Sequence, residues 1–395
     1  MPRREHEVTF EVGGRAVRTP LSYSIDVDLL QPADAFTLAF PLDAHTWRCI
    51  PLDAEVQVAI DGVPVLNGFV DSLRDNGDGT FVAEGRDRSG RLVDESVPGA
   101  GFAVANKRLS EVVEDLVAPW YTGVTFSNAA DRRLRRGRGK KSPAGKEPAL
   151  TRQERLATAQ RIEAGTTRWE ALERFLRPLQ LLAWSTADGR ELVLARPQYD
   201  QAPQYELFET LAASNVKRMS LSKSVAGRYA LLEVSGSGRP PGVPAPPFIP
   251  TFPGQKRPKY VARNRIGVAR DGPADDGTGE DFIHPKRLFV VSEALSTAEA
   301  QLEAERALAR GRVQARQLEV TVPGHGQWLD GASAPTLYAP DTVAIVRKEV
   351  EAAPGDDAPA VLVDASFYCT RVTYQGSRDD EQTTLGLVPL GTFLT

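Results

Sequence analysis

Histidines and carboxylates are the side chains from which hydrolytic or metal chemistry would be built, and here they form no recognisable catalytic motif. The four histidines, His6, His45, His284 and His325, lack the spacing of an H-E-x-x-H metal site. The sequence has no G-x-S-x-G turn for a nucleophilic serine, and its glycine-rich stretches lack the lysine of a phosphate-binding loop. We therefore predict no catalytic residue, no metal ligand and no cofactor.

Two pairs of neighbouring carboxylates are the remaining candidates for acid–base chemistry. They are Glu84 with Asp87, and Asp94 with Glu95. A pair of this kind supplies the general acid and the base or nucleophile of a glycosidase. Nothing in the surrounding sequence indicates a raised pKa, so we interpret all four as solvated side chains.

The most concentrated charge is a basic segment within residues 131–148. Its main cations are Arg132, Arg133, Arg135, Arg136, Arg138, Lys140 and Lys141. Glycine and proline interrupt any helix there, which predicts an exposed loop. The loop could bind DNA phosphates without sequence specificity, or an acidic surface of a neighbouring protein, and we rank the protein neighbour first. A solvated loop without a partner is the alternative, since aromatic residues that would stack on bases are missing.

Size and composition favour a multidomain protein whose partners are mostly proteins. The chain has 395 residues, of which 25% are charged and 41% hydrophobic, and a formal net charge of −4. This length predicts roughly two to four domains. Cys49 and Cys369 do not suggest a disulfide framework. No apolar run is long enough to cross a bilayer and no signal peptide is recognisable, so we expect no membrane insertion and folding in a cytoplasm.

Alternating apolar residues in the first hundred positions predict half-buried antiparallel strands. Tyr23, Ile25 and Val27 alternate with polar residues, and residues 36–40 repeat the pattern. Asp61-Gly62 predicts a tight turn between two strands. Many short strands joined by tight turns favour a small β-barrel.

Helical patterns interrupt the strands in the middle of the chain. Apolar stripes with helical spacing run from Leu109 to Val117 and from Trp169 to Leu179, and a β-hairpin around Asp188-Gly189 follows the second stripe. Strands return after about residue 213. A further helix is predicted from 296 to about 316, with small residues along one side that would let it lie close to a sheet.

These patterns predict an α+β protein that is predominantly β, in which two similar small β-barrel domains flank a mixed α+β module. We assign residues 1–100 to the first barrel and 101–210 to the α+β middle domain with the basic loop. The second barrel takes residues 211–345, with a proline-rich insertion at 239–254, and residues 346–395 form a β-rich C-terminal segment.

A collinear series of short motifs resembles the Mu-type hub proteins of contractile phage tail baseplates. The segment that begins at residue 85 is similar to the family signature G-R-[DS]-x-[ST]-x-x-L-[VI]-D. Its matching residues are Gly85, Arg86, Asp87, Ser89, Leu92, Val93 and Asp94. Gly68-Phe69-Val70-Asp71 precedes it, and Leu337-Tyr338-Ala339-Pro340 resembles a later motif. One departure is Gly324-His325, where the family has Gly-Trp. We assign the signature residues to a structural turn at the barrel rim.

The resemblance implies a structural virion protein of the tail baseplate, assembled in the host cytoplasm, and not an enzyme. Such hubs form a ring-like homotrimer whose two barrels per subunit present a pseudo-sixfold platform. The tail tube protein, or a tube-initiating baseplate protein, stacks on one face and the central spike docks on the other. Wedge proteins could bind outside, and DNA passes through the lumen. The C-terminal segment would brace the hub or contact the spike.

Two other functions remain open from the sequence. A tail-associated enzyme that degrades the cell wall would need a carboxylate pair or a metal site. A nucleic-acid-binding virion protein would use the basic loop.

Overall fold

A computed structural model of the chain provides the fold. It describes residues 6–17, 19–97, 109–126, 162, 165–176, 181–224, 228–236, 265–270, 286–292, 297–327, 335–352, 359–378 and 380–392. The basic loop at 131–148 and the proline-rich insertion at 239–254 lie outside these ranges, so their predicted roles stay predictions. The described residues are mostly β-strand.

The first ninety or so residues form an antiparallel lobe, which we call the first lobe. Its elements are β1 (Val8–Val12), β2 (Arg15–Val17), β3 (Ser22–Asp28), β4 (Ala35–Pro41), α1 (Ala44–Cys49), β5 (Glu55–Ile60), β6 (Val63–Asp75), β7 (Thr80–Asp87) and α2 (Ser89–Asp94). The strands pair in the order β3-β4-β7-β6-β5-β1-β2. Tyr23 and Ile25 are buried, which confirms the predicted alternation. The helix α1, capped by Asp43, was not predicted.

A small α+β unit follows, which we call the first module. It contains α3 (Leu109–Val117), β8 (Gly123–Phe126), α4 (Arg168–Leu176), β9 (Leu182–Ser185) and β10 (Glu191–Ala195). The strand β10 lies between β8, which is parallel to it, and β9, which is antiparallel. Leu116, Leu172 and Phe175 of the two helices are fully buried in one apolar cluster with the sheet. Both predicted helices and the hairpin are confirmed.

The remaining elements run to the end of the chain. They are β11 (Tyr205–Glu209), β12 (Arg218–Lys223), β13 (Leu231–Gly236), β14 (Arg265–Arg270), β15 (Arg287–Ser292), α5 (Thr297–Ala315), β16 (Arg316–Pro323), β17 (Gly326–Gln327), β18 (Thr336–Leu337), β19 (Thr342–Val350), β20 (Ala360–Gly376) and β21 (Glu381–Pro389).

Three of these strands and α5 form a second α+β unit, the second module. The sheet has the order β14-β13-β15, and α5 packs on one of its faces. Ala300 and Ala304 of α5 are buried there, as the small residues on that helix predicted. These strands were expected within the second barrel, yet they form a separate sheet from the large one.

The strands β11, β12, β16, β19, β20 and β21 form the second lobe, which continues the sheet of the first. The strand β20 pairs with β21 on one side and with β19 and then β3 on the other. The two lobes therefore share one thirteen-stranded sheet and one apolar core. The pairings of the described strands close no barrel, so the two separate barrels are not confirmed, and the domain boundaries stay predictions.

Each lobe contains one unusually long strand that changes partner along its length. In the first lobe, β6 pairs with β5 through its first half and with β7 through its second half, with a register shift between Val70 and Ser72. In the second lobe, β20 does the same with β19 and β21, with a shift between Cys369 and Arg371. An extra residue of this kind bends a strand and increases its twist.

Candidate functional site

The signature segment begins where β7 pairs with β6, and its glycine is required by close packing. A Cβ atom on Gly85 would lie 2.1 Å from the carbonyl oxygen of Phe69 and 2.5 Å from the ring of Phe36. No side chain fits at that separation. Gly85 therefore lets the aromatic core of the first lobe extend directly under the signature strand.

Arg86 connects the signature strand to its neighbour and to the following helix. Its Nε donates to Asp71 on β6 at 2.6 Å, and its two terminal nitrogens donate to the Asp94 carboxylate at 3.1 and 2.6 Å. Hydrogen bonding from Arg86 lowers the pKa of Asp94. Because the arrangement is bidentate, it fixes the direction in which α2 leaves the strand.

Asp87 is the residue for which the expectation of a solvated carboxylate was wrong. Its side chain is only 4% exposed and accepts hydrogen bonds from Ser89 and Gly90 at the start of α2. Burial raises the pKa of Asp87 to about 7. Burial, followed by the charge of Asp87, also raises the pKa of Asp34. Sequence patterns do not reveal this pair, because Asp34 lies on a different segment and comes close to Asp87 only in the folded lobe.

The other three carboxylates in the candidate acid–base pairs also have structural partners. Glu84 accepts from Ser72 at 3.1 Å, Asp94 is paired with Arg86, and Glu95 accepts from the indole of Trp120 at 2.8 Å. Ser89, beside Asp87, is hydrogen bonded to Tyr121 at 2.7 Å. These contacts connect elements of the fold.

The rest of the signature joins the first lobe to the first module. Leu92 is fully buried in the module's apolar cluster, and Val93 packs against the same cluster. The guanidinium of Arg91 lies 4.3 Å from the ring centre of Phe69 and 5.6 Å from that of Trp120. A stacked arginine of this kind adds cation–π attraction to the packing.

Arg168, the first residue of α4, strengthens the same joint from the other side. It is nearly buried, donates to the backbone carbonyls of Leu116 and Ala118 at 2.9 Å, and forms an ion pair with Glu95 at 3.0 Å. The carbonyls at the end of α3 have no partner within the helix, and Arg168 supplies it. The structure thus places the signature residues at a joint between two units; their assignment to a barrel rim stays a prediction.

A second polar cluster, which we call the seam cluster, lies where the two lobes meet. His6 and Asp61 come from the first lobe, and His325, Glu381 and Thr383 come from the second. The Nδ1 atom of His6 is 2.6 Å from Asp61, and the Nε2 atom of His6 accepts from the backbone N–H of His325 at 3.1 Å.

His325 occupies the centre of the seam cluster. Its two ring nitrogens are 2.6 Å from the Tyr23 hydroxyl and 2.9 Å from the Thr383 hydroxyl. Burial, together with the nearby charge of His6, lowers the pKa of His325 to about 4. The ring is therefore neutral at pH 7 and connects the lobes through hydrogen bonds. The sequence signal for this cluster was the histidine in place of the family's tryptophan, but its partners could not be identified.

Other candidates for chemistry are isolated. The Sγ atom of exposed Cys49 is 3.7 Å from Nε2 of His45, whereas Cys369 is buried. Among the described residues, no three His, Cys, Asp or Glu side chains are grouped so as to hold a metal ion. No helix in the described part of the chain is both long enough and apolar enough to cross a membrane.

Comparisons with known proteins agree with the resemblance in the signature. Residues 7–87 match the family described as Mu phage baseplate assembly protein GpP-like, N-terminal. A tail protein from Neisseria meningitidis MC58 is similar over 98% of both chains, with 25% identity and a TM-score of 0.66. The 43 kDa tail protein of prophage MuSo2 from Shewanella oneidensis shares the fold, with 18% identity, a TM-score of 0.69, and coverage of 98% of this chain and 99% of that one. No curated protein sequence matches the chain.

The family match and the likeness to the Neisseria tail protein support the same assignment. They support a Mu-type phage tail baseplate protein, which is a component of the virion. The match covers the first lobe up to the end of β7 and includes Gly85, Arg86 and Asp87 of the signature. The resemblance in the sequence is confirmed at this level.

Proposed function

We propose that this protein is the structural hub of a contractile-tail baseplate, in which three copies form a ring between the sixfold tail tube and the threefold spike. The observation that supports this most directly is the pair of bent long strands, β6 and β20, one in each lobe. Two lobes built with the same device, side by side in one sheet, would let three chains present six similar surfaces.

The contacts between the first lobe and the first module, and those between the two lobes, suit a protein that transmits force without deforming. The contacts at the signature hold the first lobe to the first module through the ion pair between Arg168 and Glu95 and the hydrogen bond between Ser89 and Tyr121. The seam cluster holds the lobes together through His325. Each is a polar network in a buried or half-buried position, and such networks favour one arrangement over its alternatives.

On this proposal the tail tube protein, or a tube-initiating baseplate protein, binds one face of the ring and the spike binds the other. Wedge proteins would surround it, and DNA would pass through the lumen during ejection. The two lobes would form the ring, with the C-terminal strands bracing it from inside the sheet. The described polar groups act in this function as connectors between elements, and no chemical step is required of them.

The mass of the full-length chain in solution tests the proposal. Sedimentation velocity and native mass spectrometry should give a species of three chains that becomes more abundant with concentration. A stable dimer or tetramer would contradict it. Adding purified tube protein should produce a complex with six tube subunits to three hub chains, and a one-to-one stoichiometry would argue against the adaptor role.

A further inference from the structure

Within the described residues, nothing covers one face of the sheet in the second module. While α5 covers Leu232 and Val234, the opposite face carries Ile266 and Val268 on β14 and Phe289 and Val291 on β15. Glu233 and Ser235 of the central strand lie between these two apolar pairs. Phe289 is 59% exposed and Val291 73% exposed. Large apolar side chains grouped on one sheet face indicate a surface that another molecule covers.

The two outer edges of this sheet are not equivalent. On β14, the side-chain amide of Gln301 accepts from the backbone N–H of Val268 at 2.8 Å and donates to its carbonyl at 2.9 Å. Gln301 thereby blocks that edge in the way a neighbouring strand would. No described strand pairs with the outer edge of β15, which also carries the most exposed apolar residues.

The second lobe has a matching open edge. The strand β20 pairs with β21 only from Phe367 onward, whereas its first residues, from Ala360, pair with β19 alone. Among the described strands, none occupies the other side of residues 360–366. Leu362 and Asp364 are both exposed in this stretch, and Leu362 is the extra residue at which the register between β19 and β20 shifts. Arg347, across from Asp364 on β19, is itself paired with Glu349 at 2.7 Å.

We propose that β15 of one copy adds, antiparallel, to the 360–366 edge of a second copy. Antiparallel strands place directly opposed residues on the same face. A single register then sets Arg287 opposite Asp364 and Phe289 opposite Leu362. This register pairs the cation of Arg287 with the anion of Asp364, and it pairs two apolar side chains, Phe289 and Leu362. It also gives the backbone groups at both open edges hydrogen-bond partners.

A second copy is the occupant that this geometry favours, because the chain carries both halves of the contact. The two edges belong to different units, so the contact is head-to-tail and generates a ring if the rotation closes. The inference rests on the proposed hub function for the number of chains in that ring. The strand pairing itself is independent of whether the ring has three members.

Disulfide trapping between two different variants tests the contact. The full-length chain with Phe289→Cys is mixed with the chain carrying Leu362→Cys, both with Cys49→Ser and each with a distinct tag. Opposed residues in an antiparallel pair have Cβ atoms about 4.5–5.5 Å apart, close to what a disulfide spans. We expect mixed disulfides under mild oxidation. The matched control is Val268→Cys with Leu362→Cys, because Val268 lies on the same face beside the edge that Gln301 blocks; no mixed disulfide is expected.

Charge reversal provides a second measurement that does not depend on cysteine. Arg287→Asp alone, and Asp364→Arg alone, should each weaken self-association roughly tenfold, because like charges would face each other. The chain with both substitutions should regain most of the lost affinity for self-association, because opposite charges would again face each other. Circular dichroism and thermal unfolding verify that each variant is folded, as expected for exposed positions.

The possible outcomes separate this inference from the proposed function. A trimer without mixed disulfides, unaffected by charge reversal, overturns the strand pairing and leaves the hub proposal standing. Mixed disulfides in a ladder that continues past three chains would support the pairing and contradict the threefold ring. A chain that stays monomeric and does not cross-link contradicts both.

Discussion

The two α+β modules have similar construction but differ in what covers their sheets. Each has a three-stranded sheet with one parallel and one antiparallel pair, and helices pack on one face. In the first module, Leu182 and Trp184 on the other face pack against Leu29 and Tyr368 of the large sheet. In the second module the corresponding face exposes Phe289 and Val291. The first module is thus completed within the chain, whereas the second lacks such a cover among the described residues.

This difference indicates that the modules have different tasks. Apolar surface buried within a chain stabilises the fold, at about 25 cal/mol for each Å² removed from water. Apolar surface left exposed on a folded sheet does not, and its retention suggests a contact with another molecule. The first module therefore acts as an internal brace, and the second offers an interface.

The largest expected effect contrasts a phenylalanine from each module. Phe175→Ala, in α4, removes a fully buried side chain and should lower the free energy of unfolding by about 3–5 kcal/mol. Phe289→Ala, on the open face, should change it by less than about 0.5 kcal/mol under conditions where the chain is monomeric. Urea unfolding of both variants tests the contrast, and equal losses would show that the second face is already covered.

One glycine in each module allows the packing of the two sheets to be compared further. A Cβ atom on Gly267 would lie 2.1 Å from the backbone of Ala300, whereas one on Gly123 would meet Glu191 at an ordinary 3.7 Å. Gly267→Ala should therefore cost about 1–3 kcal/mol, because α5 must move away from its sheet. Gly123→Ala, the control in the first module, should be neutral or slightly stabilising. Thermal unfolding distinguishes them, and a harmless Gly267→Ala would mean that α5 is loosely packed.

The stability of the contact between the first lobe and the first module should depend on pH through Asp87. The second module has no counterpart to Asp87 among its described residues. Because the pKa of Asp87 is raised to about 7, the folded state favours the protonated form. Its contribution to stability is fully present below pH 4 and is lost as the pH rises through 7. Asp87→Asn retains an acceptor oxygen for the Ser89 contacts and removes this titration. The variant should be more stable than the parent at pH 8 by about 1–2 kcal/mol, with little difference below pH 4.

Asp87→Ala is the control for that experiment. It removes the charge together with the hydrogen bonds at the start of α2, and it should be less stable than Asp87→Asn at both pH values. Chemical unfolding across the pH range measures the slopes. Parallel curves for the parent and Asp87→Asn would show that the carboxylate does not titrate in this window.

The smallest effect is expected at the blocked edge of the second module. Gln301→Leu removes the two hydrogen bonds to Val268 and should cost about 1 kcal/mol or less, since water can solvate an exposed edge. If β14 then becomes available as a docking edge, the variant should also show additional self-association. Gln301→Glu, which retains the acceptor and loses the donor, is the matched control. Unchanged light scattering and unchanged stability would contradict the protective role.

Local patterns in the sequence determined most of the secondary structure. Three patterns were sufficient to predict a strand or a helix: the alternation at Tyr23 and Ile25, the apolar stripe from Leu109, and the small residues of α5. They were sufficient because strand and helix periodicity are properties of a short segment. The signature at Gly85 to Asp94 was recognisable for the same reason, since its residues are contiguous. The comparisons then confirmed the family that it resembled.

Only the tertiary structure decided how these elements combine. The pairing of β20 with β3 merges the lobes into one sheet, and β13–β15 form a sheet of their own. The burial of Asp87 beside Asp34, the seam cluster around His325 and the open edges of β15 and β20 each depend on residues far apart in the chain. The physical reason is that burial and pairing are properties of contacts between segments. No single segment carries that information by itself.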